Sequence, residues 1–138
     1  IWSVHNYTQE KDKLIDELKI TEGQEPYRNS RDKKYLAVYE GQPYMLDEFG
    51  GIPWMAATDR NNSWGYGGMP KDEEAFYQRL EGQIDALIAS KHVCGFCYTQ
   101  LTDVEQEKNG VYYYDRRPKL DMKRIKAIFE KIPSRPAK

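Results

Sequence analysis

The sequence predicts an α/β fold in which parallel strands alternate with helices. Short apolar runs are each followed by a polar cluster, and the segments between them carry apolar residues at helical spacing. The connections are long enough to hold helical crossovers, which parallel strands require. The 138 residues are a one-domain length. We therefore expect one sheet with a helix after each strand.

The first strand–helix unit lies at the amino-terminal end of the sequence. Residues 2–4 form a strand candidate that ends in a polar cluster. The cluster consists of His5, Asn6 and Tyr7. A helix is predicted over residues 10–19, because its apolar side chains share one face and its charged side chains take the other. Thr8 is the expected N-cap of this helix.

The second strand, over residues 44–48, carries Glu48 at its carboxyl end, directly before a turn that a Gly-Gly pair indicates. Catalytic groups of parallel α/β folds sit at that end of the strands. Glu48 is therefore a candidate catalytic carboxylate, and a solvated turn acid is the alternative. Asp47 is expected on the opposite side of the strand in a structural role. A strand-like run at residues 35–39 forms either a hairpin partner or a lead-in.

A long aromatic loop and a strong helix follow. Loops as long as residues 52–69 are usually functional or disordered, and the aromatic content of this one argues against disorder. Its large aromatic residues are Trp54, Trp64 and Tyr66. A helix is predicted from Asp72 to about Ser90 from its apolar stripe and its opening residues.

The third unit begins with a strand over residues 93–99, which also ends in polar residues. These are Thr99, Gln100, Thr102 and Asp103. After a charged loop, Asp121 caps a last helix, and Pro133 lies beyond its end. Because the carboxyl ends of parallel strands converge on one face, we expect the three polar clusters to meet there.

Composition limits the classes of partner. The net charge of −1 gives no electrostatic reason to predict binding to nucleic acid or to an anionic membrane. No run of 18 apolar residues is present, so no transmembrane helix is expected. No glycine motif for phosphates and no metal-ligand spacing stands out, so we predict neither a cofactor nor a metal. The eleven Tyr and three Trp suit stacking on sugar rings or an interface.

The cysteine pair and the second histidine receive structural interpretations. Cys94 and Cys97 lie three residues apart on a predicted strand and so face opposite sides of it. We predict two inert buried thiols, because free cysteine is commonly buried. His92 precedes the strand and is expected at the surface. Neither cysteine nor either histidine stands in a recognisable activated-nucleophile arrangement.

Four short segments, in this order, resemble glycoside hydrolase family 2, the family of β-galactosidases, β-glucuronidases and β-mannosidases. The segments are residues 5–7, 47–51, 95–110 and 114–119. The resemblance runs from about Trp2 to Ile132. It implies that residues 1–138 are a single fragment of the family's catalytic (β/α)₈ TIM barrel, namely its last three βα units, strands six to eight with their helices. We therefore expect a processed or excised piece of a longer protein.

The resemblance also implies roles for single residues. Glu48 takes the place of the catalytic nucleophile, and Tyr7 matches a tyrosine that hydrogen-bonds the nucleophile in relatives. The family's acid/base glutamate lies outside this sequence. Many relatives carry a Trp where Thr99 stands, and Tyr98 or a tryptophan of the long loop is the candidate substitute. The predicted substrate-binding residues are His5, Asn6, Trp54, Trp64, Tyr98, Thr99 and Asp103.

Two of these residues have structural alternatives. His5 either bonds a sugar hydroxyl or is a satisfied histidine at the rim of the site. Asp103 either bonds a sugar hydroxyl or holds Arg116 or Arg117 in an ion pair, and we favour the ion pair because buried charges need partners.

Together these inferences predict the carboxyl-terminal part of a retaining, β-galactosidase-like glycoside hydrolase. The whole enzyme would cleave a β-glycosidic bond through a covalent glycosyl–Glu48 intermediate, and the isolated chain is expected to be inactive. A non-catalytic carbohydrate-binding or assembly protein is the alternative, and an interaction domain that uses its aromatic surface is a weaker one. Exposed sheet edges lead us to expect self-association of the isolated chain. The sugar, the linkage and the compartment do not follow from the sequence.

Overall fold

The computed structural model describes residues 1–20, 26, 39–56 and 61–131. Within these ranges three strands alternate with three helices. In chain order they are β1 (Trp2–Asn6), α1 (Lys11–Glu17), β2 (Tyr44–Gly50), α2 (Glu73–Ala89), β3 (Val93–Thr99) and α3 (Met122–Phe129). The strands are parallel and lie in the order β1–β2–β3. The predicted α/β alternation with parallel strands is therefore confirmed.

The prediction of a partial (β/α)₈ TIM barrel is wrong. The sheet that the described residues form has three strands, and β2 lies between β1 and β3. Barrel closure needs about eight tilted strands, each paired on both sides. Alternation of strands and helices specifies parallel pairing with crossovers, but it does not specify how many strands the sheet has. In the described part of the chain, the fold is therefore an α/β sheet of three parallel strands with three helices.

The core lies between one face of the sheet and the helices. Along β1, Trp2, Val4 and Asn6 are buried while Ser3 and His5 are exposed, so this face packs and the other is open. Helix α2 packs against α1, α3 and β3. Its buried apolar side chains are Phe76, Tyr77, Leu80, Ile84 and Leu87. Burial of each such side chain contributes about 1.5–3 kcal/mol, so α2 anchors the helical layer.

Of the two predicted helix caps, at Thr8 and Asp121, the one at Asp121 is confirmed, and Asp72, which was predicted to open α2, caps that helix. The Asp72 carboxylate accepts a hydrogen bond from the Ala75 N–H at 2.7 Å, and Asp121 caps α3 in the same way. Helix α1 instead has Glu10 at its N-cap position, with no side-chain hydrogen bond. The hydroxyl of Thr8 donates to Glu17 at 2.7 Å, so Thr8 holds the end of α1 rather than its start.

The prediction that Cys94 and Cys97 are buried is wrong, because both thiols are exposed and free. Strand β3 lies at an edge of the sheet, and its pairing register with β2 is irregular near Met45, so neither thiol is covered. The strand prediction itself is confirmed, and His92 is exposed as expected.

Two further predictions concern residues that the structure describes only in part. The strand-like run at residues 35–39 lies, apart from Tyr39, outside the described residues. In the portion of the chain whose structure is described, no helix has the length and apolar character that crossing a bilayer requires.

Candidate active site

Glu48 lies near the carboxyl end of the central strand, and two side chains engage its carboxylate. The Oε2 atom accepts a hydrogen bond from the Tyr7 hydroxyl. The same oxygen lies 3.1 Å from Nδ1 of His5. Both contacts fall on Oε2, and the Glu48 side chain is 42% exposed. Among the described residues, the carboxylate is therefore held through Oε2, and the side chain stays accessible to solutes.

The phenol of Tyr7 is a donor across the working pH range of most enzymes. Burial and the hydrogen bond to Glu48 raise the pKa of Tyr7 well above the ordinary value of tyrosine, and a contact with the Thr99 side chain opposes them. The phenol therefore keeps its proton.

A register shift in the sheet brings Asp47 beside the same histidine. Strand β1 pairs Val4 with Leu46 but His5 with Glu48, so Asp47 is an extra residue in β2. Its Oδ1 atom lies 3.7 Å from Nε2 of His5, which is an ionic distance rather than a hydrogen bond. The prediction that Asp47 faces away from Glu48 is wrong, because strict alternation of side chains fails at a bulge.

The two glycines after Glu48 make room for aromatic rings. Gly50 and Gly51 have φ values of +88° and +62°, which L side chains rarely adopt. A Cβ at Gly50 would overlap the ring of Tyr98, and a Cβ at Gly51 would overlap the ring of Tyr66. The glycine pair is thus required both by the backbone and by the rings that surround it.

Three aromatic side chains form a row that leads from Glu48 to the surface, which we term the aromatic row: Tyr7, Tyr66 and Trp64. Tyr66 lies flat on Tyr7, with ring centroids 3.6 Å apart and an interplanar angle of 3°. Trp64 meets Tyr66 edge-on at 5.7 Å and is 49% exposed. Sequence reasoning missed Tyr66 as a site residue, and the only signal for it was the aromatic content of its loop.

Gln9, which the sequence analysis also missed, ties the end of β1 to the glycine turn. Its Nε2 donates to the carbonyl of Tyr7 at 2.8 Å and to that of Gly50 at 2.6 Å. The side chain is buried, and Gly67 lies against it. Gln9 therefore fixes the backbone that carries Tyr7 relative to the end of β2.

Thr99 and Tyr98 end β3 on two sides of the glycine turn. The side chain of Thr99 contacts the Tyr7 hydroxyl, and its carbonyl accepts a hydrogen bond from the Gly51 N–H at 2.7 Å. The Tyr98 ring packs edge-on against Phe49 at 5.6 Å, and its burial raises the pKa of the phenol. Thr99 therefore belongs to the surroundings of Glu48, while Tyr98 supports the strand end.

Asn6, a predicted substrate-binding residue, is fully buried and structurally engaged. Its amide donates to Glu17 at 3.0 Å, and its Oδ1 accepts from the Thr8 N–H at 2.9 Å. These bonds connect the end of β1 to α1. The side chain is thus directed at the helix layer.

Asp103 is 2% exposed and forms an ion pair with Lys119 at 2.5 Å. The interpretation of Asp103 as one half of an ion pair is confirmed, but with a different partner. Of the arginines that were named, Arg117 pairs with Asp115 at the surface instead.

Lys119 also holds Trp54. Its Nζ donates to the carbonyls of Trp54 at 2.7 Å and Lys108 at 3.3 Å, besides its bond to Asp103. The Trp54 ring packs edge-on against Phe76 at 5.9 Å. Lys119 thus joins the loops that follow β2 and β3.

The described residues bring His5, Tyr7, Glu48 and Thr99 together, and add Asp47 and Tyr66 to them. Asn6, Tyr98 and Asp103 have structural partners instead. In the same residues, no group of three or more His, Cys, Asp or Glu is arranged to hold a metal ion. The arrangement can present a carboxylate oxygen to an electrophile while a phenol holds the other oxygen.

No known protein family model matches the chain, and no curated protein matches it at a significant level.

Proposed function

We propose that this chain supplies the nucleophile of a retaining β-glycosidase, with Glu48 as that nucleophile. The observation that carries the proposal is the asymmetry of the Glu48 carboxylate: Tyr7 and His5 both contact Oε2, and the side chain is 42% exposed. A carboxylate that is held through one oxygen can attack through the other. The resemblance of four segments to glycoside hydrolase family 2 supports the same role.

In the proposed reaction, Oε1 of Glu48 attacks the anomeric carbon of a β-glycoside, and the bond to the aglycone oxygen breaks. A second carboxylic acid protonates the leaving oxygen, and then activates the water that hydrolyses the glycosyl ester. Retaining enzymes hold their two carboxyl groups about 5–5.5 Å apart. The second group comes from outside this sequence, so the isolated chain is expected to hold the nucleophile without turnover.

The proposed substrate is a β-glycoside, in keeping with the β-galactosidase-like resemblance. The exposed indole of Trp64, at the outer end of the aromatic row, offers an apolar face for the ring of a sugar. Thr99, next to the Tyr7 hydroxyl, offers a hydroxyl of its own to the substrate.

Covalent trapping tests the proposal. The full-length protein is treated with 2-deoxy-2-fluoro β-glycosides that carry good leaving groups, and the labelled peptide is mapped by mass spectrometry. We expect one label on Glu48, which Glu48→Gln abolishes and which Glu105→Gln, at an acid on a different loop, leaves in place. A label on another residue, or none with any sugar of the panel, would refute Glu48 as nucleophile.

A non-catalytic carbohydrate-binding protein is the second candidate, and Thr99 is the observation in its favour. Many members of glycoside hydrolase family 2 carry a Trp where Thr99 stands, and a Thr there removes a platform for the sugar. Binding of free sugars measured by calorimetry, together with absence of covalent label, would select this candidate over the enzyme.

A further inference from the structure

We propose that Tyr66 is a positioning residue: its ring, stacked on Tyr7, holds the Tyr7 phenol in the orientation that engages Glu48. The expected effect of Tyr66 on catalysis rests on the proposed function. Its structural part, the control of the Tyr7 hydroxyl by Tyr66, stands on geometry alone.

Tyr7 needs support from outside its own strand. It is the first residue after β1, so the sheet does not continue to it. Gln9 fixes its carbonyl, but a tyrosine side chain still turns about two bonds beyond the backbone. The parallel stack with Tyr66, at 3.6 Å and 3°, covers one face of the Tyr7 ring and so restricts those rotations.

Tyr66 is itself held on several sides. Its N–H donates to the carbonyl of Gly51 at 2.9 Å, and its ring occupies the space that a side chain at Gly51 would fill. Trp64 packs edge-on against it. The backbone of Trp64 in turn makes two hydrogen bonds of 2.9 Å with the loop after β3, to Gln106 and from Lys108. The loops after β2 and β3 therefore both fix the ring that lies on Tyr7.

The stack also shields the phenol from water. Burial is the largest cause of the raised pKa of Tyr7, and the neighbouring Tyr66 adds to it. Removal of the Tyr66 ring from one face of Tyr7 would let water reach the phenol, and water would stabilise the ionised form of the phenol. The protonation of Tyr7 thus reports the presence of the stack without any need for substrate.

The first experiment follows the Tyr7 hydroxyl in the isolated chain. Tyrosine Cζ resonances are titrated by carbon NMR in wild type, Tyr66→Phe and Tyr66→Leu, and the Tyr7 signal is assigned by its loss in Tyr7→Phe. We expect the Tyr7 midpoint to lie above the pH range in which the wild-type chain stays folded, and to fall into that range in Tyr66→Leu, toward the ordinary value of tyrosine, about 10. Tyr66→Phe keeps the ring and loses only its hydroxyl, so it should lower the Tyr7 midpoint less than Tyr66→Leu does.

Leucine retains apolar volume at this position, and thermal melting of each variant checks that it folds. Tyr114→Leu, at an exposed tyrosine on another loop, is the matched control and should leave the Tyr7 midpoint unchanged. An unchanged Tyr7 midpoint in a folded Tyr66→Leu variant would overturn the positioning role, whatever the activity of the protein.

The second experiment tests the consequence in catalysis. In the full-length protein we expect Tyr66→Leu to slow the maximal rate of fluoroglycoside labelling at Glu48 by about tenfold, and Tyr66→Phe to restore the rate, because a Tyr7 phenol that is no longer held in place leaves the Glu48 carboxylate less well oriented for attack. Equal maximal rates in Tyr66→Leu and wild type would overturn the inference. Absence of label in wild type would instead refute the proposed function, so the two failures are distinguishable.

Discussion

Glu48 and Asp103 are two carboxylates at the same end of the sheet with opposite surroundings. Glu48 is 42% exposed and faces a phenol and an imidazole. Asp103 is 2% exposed and pairs with Lys119, which has no exposed side-chain surface. A neutral donor and access to solvent leave a carboxylate free to react, whereas a buried cation neutralises it. The position after a strand therefore does not decide the role of an acid, and its partners and burial do.

Removal of the cation should have the largest effect on stability. Lys119→Met leaves Asp103 buried without its counter-ion, so we expect the free energy of unfolding to fall by about 3–5 kcal/mol, measured by urea denaturation. Lys71→Met, at an exposed lysine, is the control and should change it by less than about 0.5 kcal/mol. A fall in the free energy of unfolding of less than about 1 kcal/mol in Lys119→Met would show that the ion pair does not neutralise a buried Asp103 carboxylate.

The glycine turn next to Glu48 should be the next most sensitive point. Gly51→Ala combines a positive φ with overlap of the Tyr66 ring, and Gly68→Ala has a positive φ of +73° with open space around it. We expect a loss of about 1–2 kcal/mol at Gly68 from the backbone alone and a clearly larger loss at Gly51. If chemical denaturation showed the same loss of unfolding free energy in Gly51→Ala and Gly68→Ala, the Tyr66 ring would not pack against Gly51.

Tyr7 should make a stability contribution that depends on pH. Its pKa is raised in the folded state, so the unfolded chain releases this proton first. The contribution is complete below about pH 10, the ordinary value of tyrosine, and is lost as the pH rises from there toward the higher folded pKa. Stability measured from neutral to strongly alkaline pH should therefore fall less steeply in Tyr7→Phe than in wild type. If stability fell equally steeply with pH in Tyr7→Phe and in wild type, the Tyr7 phenol would not be buried and hydrogen-bonded in the folded chain.

Self-association is the smallest effect that we predict. Strands β1 and β3 each pair with β2 only, among the described residues, and present an edge. Light scattering of the isolated chain should show an average mass that rises with concentration. A constant monomer mass over the same concentration range would count against association through the edges of β1 and β3.

The order of the elements follows from local patterns, and several details of the site do not. The cap at Asp121 and the start of α2 near Asp72 depend on neighbouring residues alone, and both were predicted. The hydroxyl of Thr8 donates a hydrogen bond to the Glu17 carboxylate instead of capping the backbone at the start of α1. Local sequence rules do not predict which of these two partners the hydroxyl takes. The barrel was inferred from the family resemblance and not from local patterns, and the three-stranded sheet of the described residues does not show it.

The errors at the site itself have the same origin. The position of Asp47 depends on a register shift between strands that are far apart in sequence. The ring of Tyr66 reaches Tyr7 across 59 residues, and no periodicity marks that contact. The prediction of Glu48 as the nucleophile rests on a local signal, a carboxylate close before a glycine pair, and on the family resemblance. The neighbours of Glu48 were missed where their contacts are long-range.

Chemical rescue tests the central claim most directly. In the full-length protein, Glu48→Ala is assayed with an activated β-glycoside in the presence of azide, and the product is identified by NMR. If Glu48 is the nucleophile, azide occupies the vacated space, attacks the anomeric carbon as the aglycone leaves, and yields the α-glycosyl azide, while Glu105→Ala gives no such product. Absence of the α-glycosyl azide from Glu48→Ala, or retention of wild-type turnover in that variant, would contradict the account.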